Sequence, residues 1–408
     1  MKRNKTPTNA TRSVCMLVTT DMKNDPRVAR HAETLGSQGV KVVVICPWSQ
    51  GIEAHELRTM YEIIRPRSII RRSLHEIAEK QRVFSLSNSA NSWHHGDYPW
   101  IKLVATAASF LLTQLTLLGT ARKQHAQIYC ANDLDTLLVT IIAAGLDRII
   151  VYDSHELWPD MMLAPEPVKT IARKIEKMLI GRADLVITVN ELIAAELKSR
   201  YSLKRTPQVV YNCPKSGSYR KRTKNPTRIK VALYQGLYAP ERGLENLIEA
   251  ADYLLPDVHL VLRGYGVTER ELRSVAAGRR NVHFNRPVKM SELISVATEA
   301  DVGLIPYLPT NLCNYFASPN KLFEYILAGL PVVASNIPFM RKVILENDIG
   351  ALFDAREPRS IATAINLSTR DYVLRRQRAN LASVAAKYNW NIESKKLLQA
   401  YASLSHRD

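Results

Sequence analysis

The chain has 408 residues, more than the roughly 100–200 of one ordinary domain, so two domains with separate cores are expected. Hydrophobic residues make up 46% of it, as in a soluble globular protein, and a net charge of +18 calls for an anionic partner: nucleotide phosphates, a membrane surface or nucleic acid. Five cysteines, an odd count with no Cys-x-x-Cys pair, argue against a disulfide framework; Cys15, Cys46 and Cys130 fall inside or at the end of apolar strand-like runs and read as reduced core residues.

MKRNK is followed by polar TPTNATR rather than an apolar stretch, so no secretory signal is expected and the cytosol is the expected compartment. From Ser13, SVCMLVTT, DPRVARHAETLGSQG and VKVVVICP read as strand, helix and strand. Asp25 suits the helix cap, Pro26 its first position, and Gly36 or Gly39 its end. Residues 48–99 carry no clear period. Within them, basic and apolar residues interleave from Ile63 to Arg82, with Arg65, Arg67, Arg71 and Arg72 among Ile63, Ile64, Ile69, Ile70 and Leu74. Such a mixture suits an anionic lipid surface. The segment Leu103 to Gly119 comes nearest to a membrane span, but Thr residues and Gln114 interrupt it, and it reads as a buried helix.

QIYCAN, RIIVYDS, LVITVN and QVVYN then alternate with helical stretches, the pattern of a parallel sheet covered on both faces. Residues 215–229 are charged, contain Gly, Ser and Pro, lack periodicity and read as a linker. A second series follows: VALYQG, VHLVLRG, NVHFNR, VGLIPY, PVVAS and GALFD. Before PVVAS, Ser318 is placed to cap a helix with Pro319 at its first position, and Gly329 and Pro331 end it. A helix start facing the loop after VGLIPY is an anion site. Lys321 adds a charge in its first turn, and Glu324, three residues on, has a carboxylate able to accept a vicinal diol. Phosphate plus ribose makes a nucleotide.

The ordered segments DPRVARHAETLGSQG, ANDLDTLL, VYDSHELWPD, RADLVITVNE and VVYNCP, then YQGLYAPERGLENLIEA, RGYG and SPNKLFEYILAGLPVVAS, resemble a GT-B glycosyltransferase of glycosyltransferase family 4. The resemblance runs from about Ser13 to the C-terminal helix. It implies an α/β fold of two doubly wound Rossmann-like domains facing each other across a cleft: an acceptor-side domain (1–214), the basic linker (215–229), a nucleotide-sugar-binding domain (230–385), and a C-terminal helix (386–408) able to pack back on the first domain. It also implies retaining, metal-independent transfer of a sugar from a UDP-, GDP- or similar nucleotide sugar, without a cofactor.

By the same resemblance Arg242 and Lys321 contact the donor diphosphate and His155 stands beside the transferred sugar, these three being the catalytic set. Gly236, Gly264, Gly266, Arg286, Val288, Ser318, Pro319, Asn320 and Glu324 would bind the donor, Glu324 through its ribose. Asp25 and Asp133 are acceptor-side residues, each equally readable as a helix cap. Two positions depart from the family pattern. Phe316 stands where many members carry glutamate eight residues before Glu324, and Leu237 follows Gly236 where arginine is common. Without that glutamate a covalent intermediate is not expected; an ion pair on one face is, with His155 and backbone groups steadying the positive sugar. The acceptor expected is a lipid-linked or cell-surface polysaccharide, on the inner face of the membrane. Rival readings are a nucleotide-sugar epimerase and a catalytically silent nucleotide-binding module. Nucleic acid is not expected as a partner, because the basic residues are not interleaved with stacking aromatics.

Overall fold

The computed structural model describes residues 12–67, 99–161, 165–217 and 229–404. The chain packs into two compact units: the described residues of 1–155, 171–187 and 398–408 form one, and those of 156–170 and 188–397 the other. The division therefore does not fall at the basic stretch 215–229. Residues 188–214 group with the second unit because Tyr211 and Cys213 are buried in its core, the Tyr211 ring 5.9 Å from Phe323 and 5.7 Å from Phe339.

Unit one begins with β1 (Ser13–Leu17), α1 (Pro26–Gly36), β2 (Lys41–Ile45), β3 (His55–Leu57) and β4 (Glu62–Ile64), then α2 (Pro99–Arg122), β5 (Ile128–Asn132), α3 (Leu134–Ala144) and β6 (Ile149–Ser154). The chain then passes through α4 (Trp158–Met161), which belongs to unit two, before α5 (Glu166–Ile180) and β7 (Leu185–Thr188). The strands lie in the order β3-β4-β2-β1-β5-β6-β7. β5 and β6 are buried along their whole length, as unbroken apolar runs in a parallel sheet must be. Asp25 caps α1 as expected, accepting from the Val28 N–H at 3.2 Å. The order reverses between β1 and β5, which opens a crevice at their C-terminal ends.

The stretch after residue 48 is more ordered than its sequence suggests, because strands of three residues are too short to show a period. β3 pairs antiparallel with β4 and finishes the sheet edge. Ile63 is wholly buried, and Arg65, 2% exposed, donates to the Asp21 and Glu53 carbonyls (3.0 Å each) and pairs with Glu56 at 2.9 Å. Neither belongs to a lipid-facing surface; Ile69, Ile70, Arg71, Arg72 and Leu74 lie outside the described residues. The helix expected to be buried, α2, is buried on one side only: Thr113, Leu117 and Ala121 are covered, whereas Leu111 and Leu115 are exposed. Among the described residues no helix is long and apolar enough to cross a membrane.

Unit two continues with α6 (Glu191–Tyr201), β8 (Gln208–Val209), β9 (Lys230–Tyr238), α7 (Leu244–Glu249), β10 (Val258–Gly266), α8 (Glu269–Val275), β11 (Val282–Asn285), α9 (Leu293–Ala297) and β12 (Val302–Ile305). It closes with α10 (Leu312–Tyr315), α11 (Asn320–Leu327), β13 (Val332–Ser335), α12 (Pro338–Glu346), β14 (Gly350–Phe353), α13 (Pro358–Ser368), α14 (Asp371–Lys387) and α15 (Trp390–Ala402), whose last turn packs in unit one. Its sheet runs β11-β10-β9-β12-β13-β14 with parallel pairs throughout, so the reversal falls between β9 and β12. Gly303, in β12, lies under the Tyr325 ring, and the Tyr325 hydroxyl accepts from the Gln235 N–H at 3.1 Å.

A Cβ on Gly303 would stand 2.4 Å from the Tyr325 ring. Gly303→Ala is therefore expected to lower unfolding free energy by about 1–3 kcal/mol, the cost of overpacking, with part recovered in the Gly303→Ala/Tyr325→Leu double variant. Urea unfolding checks it; an unchanged midpoint in the single variant would mean the ring moves aside freely.

Candidate active site

In unit two the reversal point gathers cations. A turn after β9 presents Arg242, and its backbone is held hard. Glu241 and Gly243 on either side both have left-handed φ (64° and 65°), and a Cβ on Gly243 would meet the Pro306 carbonyl at 2.1 Å. The Glu241 carboxylate accepts from the amides of Asn311 (2.8 Å) and Asn314 (3.1 Å), tying this turn to the loop after β12. Arg242 then lies over the Tyr307 ring at 4.2 Å.

Lys321, in the first turn of α11, is 8% exposed, its Nζ 4.0 Å from the centre of the Tyr234 ring and 5.4 Å from that of Tyr307. A Cβ on Gly236 would come within 2.9 Å of that Nζ, so the glycine leaves room for the ammonium. Burial, then the neighbouring Arg242, push the Lys321 pKa down to about 7, against the pull of Glu324. The two cations share the face of the Tyr307 ring.

Other expected donor residues are arranged differently from the sequence reading. Ser318 does not cap α11: the preceding position is Pro319, with no side-chain cap, and the Ser318 hydroxyl accepts from the Asn190 amide at 3.0 Å. The same amide donates to the Phe316 carbonyl at 2.8 Å, so Asn190, itself the cap of α6, fixes the loop into α11. Pro319 is accordingly the cap residue rather than the first helical one, and Asn320, the first, accepts from the Asn212 amide at 2.7 Å. Gly264 and Gly266 allow two strands to approach closely. Both lie within β10, where Cβ atoms would stand 1.9 Å from the carbonyls of Gly236 and Tyr238 on β9. Glu324 is half-buried one turn beyond Lys321; Arg286 and Val288 sit in the loop after β11, Arg286 exposed.

In unit one the reversal point gathers acids around His155. Its Nδ1 is 3.2 Å from Asp133 and its Nε2 3.4 Å from Asp153, and its backbone N–H donates to Asp133 at 2.9 Å. Burial works against a charge on the ring, but the two carboxylates outweigh it and lift its pKa to about 10. A protonated ring repels positive charge rather than steadying it. Asp153 is wholly enclosed; burial opposes its charge, yet Arg27 (2.5 Å) and His155 hold its pKa well below the ordinary carboxylate value. His31 stands 3.4 Å from the same carboxylate and shares a 2.9 Å hydrogen bond with the Tyr401 hydroxyl.

Asp133 is no side-chain cap for α3. Its φ of 64° and ψ of 167° are a region that residues other than glycine avoid at a cost of about 1–3 kcal/mol. Beside it Thr19 donates to Asp135 at 2.5 Å, and burial raises the Asp135 pKa to about 6. Thr19, Asp135, Asn190, Tyr234, Glu241 and Tyr307 were not singled out from sequence. Only the closeness of Asp133 and Asp135 in ANDLDT hinted at any of them.

Two doubly wound sheets, each with its charged side chains at the reversal of strand order, define the GT-B class. Residues 27–213 match the family described as Glycosyltransferase Family 4, and residues 229–371 that described as Glycosyl transferases group 1. The phosphatidyl-myo-inositol mannosyltransferase of Mycobacterium leprae is 28% identical over 43% of this chain and 47% of its own length. A D-inositol 3-phosphate glycosyltransferase of Corynebacterium urealyticum is 26% identical over 57% and 59%. The chain spans about half the length of the curated relatives it matches. Whole-chain likeness is to solved structures. Sucrose-phosphate synthase of Thermosynechococcus elongatus superposes with a TM-score of 0.71 at 17% identity over 96% of this chain and 98% of that one. Anabaena Alr3699/HepE in complex with UDP and glucose gives 0.67 at 15% over 96% and 100%. The chain belongs to the group 1, family 4-like glycosyltransferases.

Two titrations follow from these sites. A histidine raised from about 6.5 to about 10 gives stability that is complete below the lower value and lost as pH rises through the higher. The His155 ring is thus expected to stay protonated past pH 9 by NMR, and Asp133→Asn should bring its midpoint down; an unmoved midpoint would remove Asp133 as the cause. Lys321 has the opposite sign. Its charge costs stability below about 7, and the cost is relieved as pH rises towards the ordinary lysine value of 10.5. Lys321→Met should therefore stabilise the fold most in acid and progressively less in alkali, read from unfolding midpoints across pH.

Proposed function

We propose that the chain moves a sugar from a nucleoside diphosphate sugar to an acceptor, without a metal and with retention of configuration. The observation that carries this is the Arg242–Lys321 pair, two cations resting on tyrosine faces at the reversal of the second sheet. Departure of the nucleoside diphosphate concentrates negative charge on its outer phosphate, and cations already desolvated and fixed stabilise that charge without reorganisation. Glu324 would accept the ribose hydroxyls. Phe316 offers no carboxylate for a covalent intermediate, so attack proceeds on one face through a short-lived ion pair, the leaving phosphate taking the acceptor proton. His155 is a positioning residue in this scheme: its ring and backbone N–H groups hold the Asp133 carboxylate.

UDP is the first donor nucleotide to test, since HepE is described with UDP and UDP-glucose. A lipid-linked or cell-surface glycan on the inner membrane face is the acceptor proposed, in keeping with relatives named for phosphatidyl-myo-inositol. Phe316 and Leu237 favour one other reading, a nucleotide-binding module without turnover, and the same experiment separates the two. UDP, GDP, ADP and their sugars are tested for thermal stabilisation and then for transfer. One nucleotide should raise the melting temperature, and Glu324→Gln should weaken its binding by about 1–3 kcal/mol. Arg242→Ala or Lys321→Ala should abolish transfer in a folded protein. His155→Ala should lower kcat far more than donor affinity. Near wild-type turnover in Arg242→Ala, or a product of inverted configuration by NMR, would overturn the scheme; stabilisation without any transfer would leave the silent module.

A further inference from the structure

We infer that unit one seats its outer helical layer, formed by α2, α3 and α5, on an anionic lipid bilayer. The inference names the surface behind the lipid-linked acceptor proposed above and rests on that reading for its purpose, but the binding itself needs no sugar transfer.

The three helices cover the same face of the first sheet. Leu117 and Ala121 of α2 and Val139 and Ala144 of α3 pack in one core with Cys15, Leu17, Tyr129 and Ile150. Tyr152, two residues beyond Ile150 on β6 and hence on the same face, donates to Glu176 of α5 at 2.7 Å. With their inner sides used in this way, the outer sides of soluble helices should be polar. Here apolar side chains are exposed on all three, interspersed on α5 with exposed Lys174 and Lys177. Leu111 and Leu115 on α2, Leu138 and Ile142 on α3, and Ile171 and Met178 on α5 are all exposed, Met178 to 70%. In each helix the pair lies one or two turns apart, on a single stripe. The α2 and α3 stripes adjoin, since Arg122, at the end of α2, reaches the Ile142 carbonyl at 3.5 Å.

Charge chooses the occupant. Arg122, Arg148, Lys174 and Arg182 are exposed on or beside the layer, whereas Glu176 is turned inward and Asp184 accepts from the Ile150 N–H. Asp147 and Glu166 are exposed at the ends of these elements. Basic side chains around an apolar helical face match anionic headgroups over acyl chains. A second copy of the chain fits less well, because a two-fold contact would set the same cationic rim against itself. α2, the segment nearest in sequence to a membrane span, would then lie along the bilayer surface rather than through it.

The full chain is tested by flotation with vesicles of phosphatidylcholine alone and of phosphatidylcholine with about one third phosphatidylglycerol. Wild type should float with the anionic vesicles only and leave them as salt rises. Leu111→Gln/Leu115→Gln and, separately, Ile171→Gln/Met178→Gln should each cut partitioning at least about tenfold while keeping the melting temperature and any UDP-induced shift. Arg122→Gln/Lys174→Gln/Arg182→Gln should remove the preference for anionic lipid. The inference falls if wild type binds neither vesicle or both equally, or if both glutamine pairs bind like wild type. It falls too if sedimentation shows a dimer that the same pairs dissociate. A missing UDP shift in every protein, with flotation as expected, would instead count against the donor reading alone.

Discussion

Lys321 sits beside a second cation with aromatic rings for company, and much of unit two serves to keep it there. A buried ammonium next to a guanidinium is unfavourable on both desolvation and repulsion. The arrangement persists because its surroundings are fixed by other interactions. Tyr234 is anchored by its hydroxyl to the Leu237 carbonyl at 2.8 Å, Gly236 withholds a side chain, and the Glu241 turn is tied to the loop after β12. Asn190 fixes the entry to α11.

Unit one applies the same economy with the signs exchanged. Asp133, Asp135 and Asp153 crowd the crevice, and they are reconciled by Arg27, by His155, whose pKa they raise, and by a hydroxyl from Thr19. The strained backbone of Asp133 is held in place by its grip on two N–H groups of His155. Both sites stand where the strand order reverses, because only there do adjacent loops leave a parallel sheet in opposite directions and part.

The alternation of apolar runs with amphipathic ones made both sheets legible, and the capped start of α1 at Asp25 followed from local chemistry alone. Lys321 could be named because it lies in the first turn of a helix that opens after a strand, and Arg242 through the family resemblance. The aromatic faces beneath them could not, since Tyr234 and Tyr307 sit in strand-like runs where tyrosine looks like ordinary core. Ser318 has the sequence setting of a cap, but a distant residue, Asn190, claims its hydroxyl, and sequence neighbours carry no trace of that competition. Arg65 looked like part of a basic surface for a similar reason: its partners are backbone carbonyls, which every sequence has.

The short hairpin that ends the first sheet has a further consequence. β3 offers only three residues of edge, with charged or ionisable His55 and Glu56 among them, and β11, at an edge of the second sheet, has only four and is followed by the exposed Arg286. An open edge of unpaired N–H and C=O groups invites another chain to add a strand. Brevity and charge at these two edges deny such an intruder a foothold, so a protein rich in buried β-structure guards both of them against fibrous self-association.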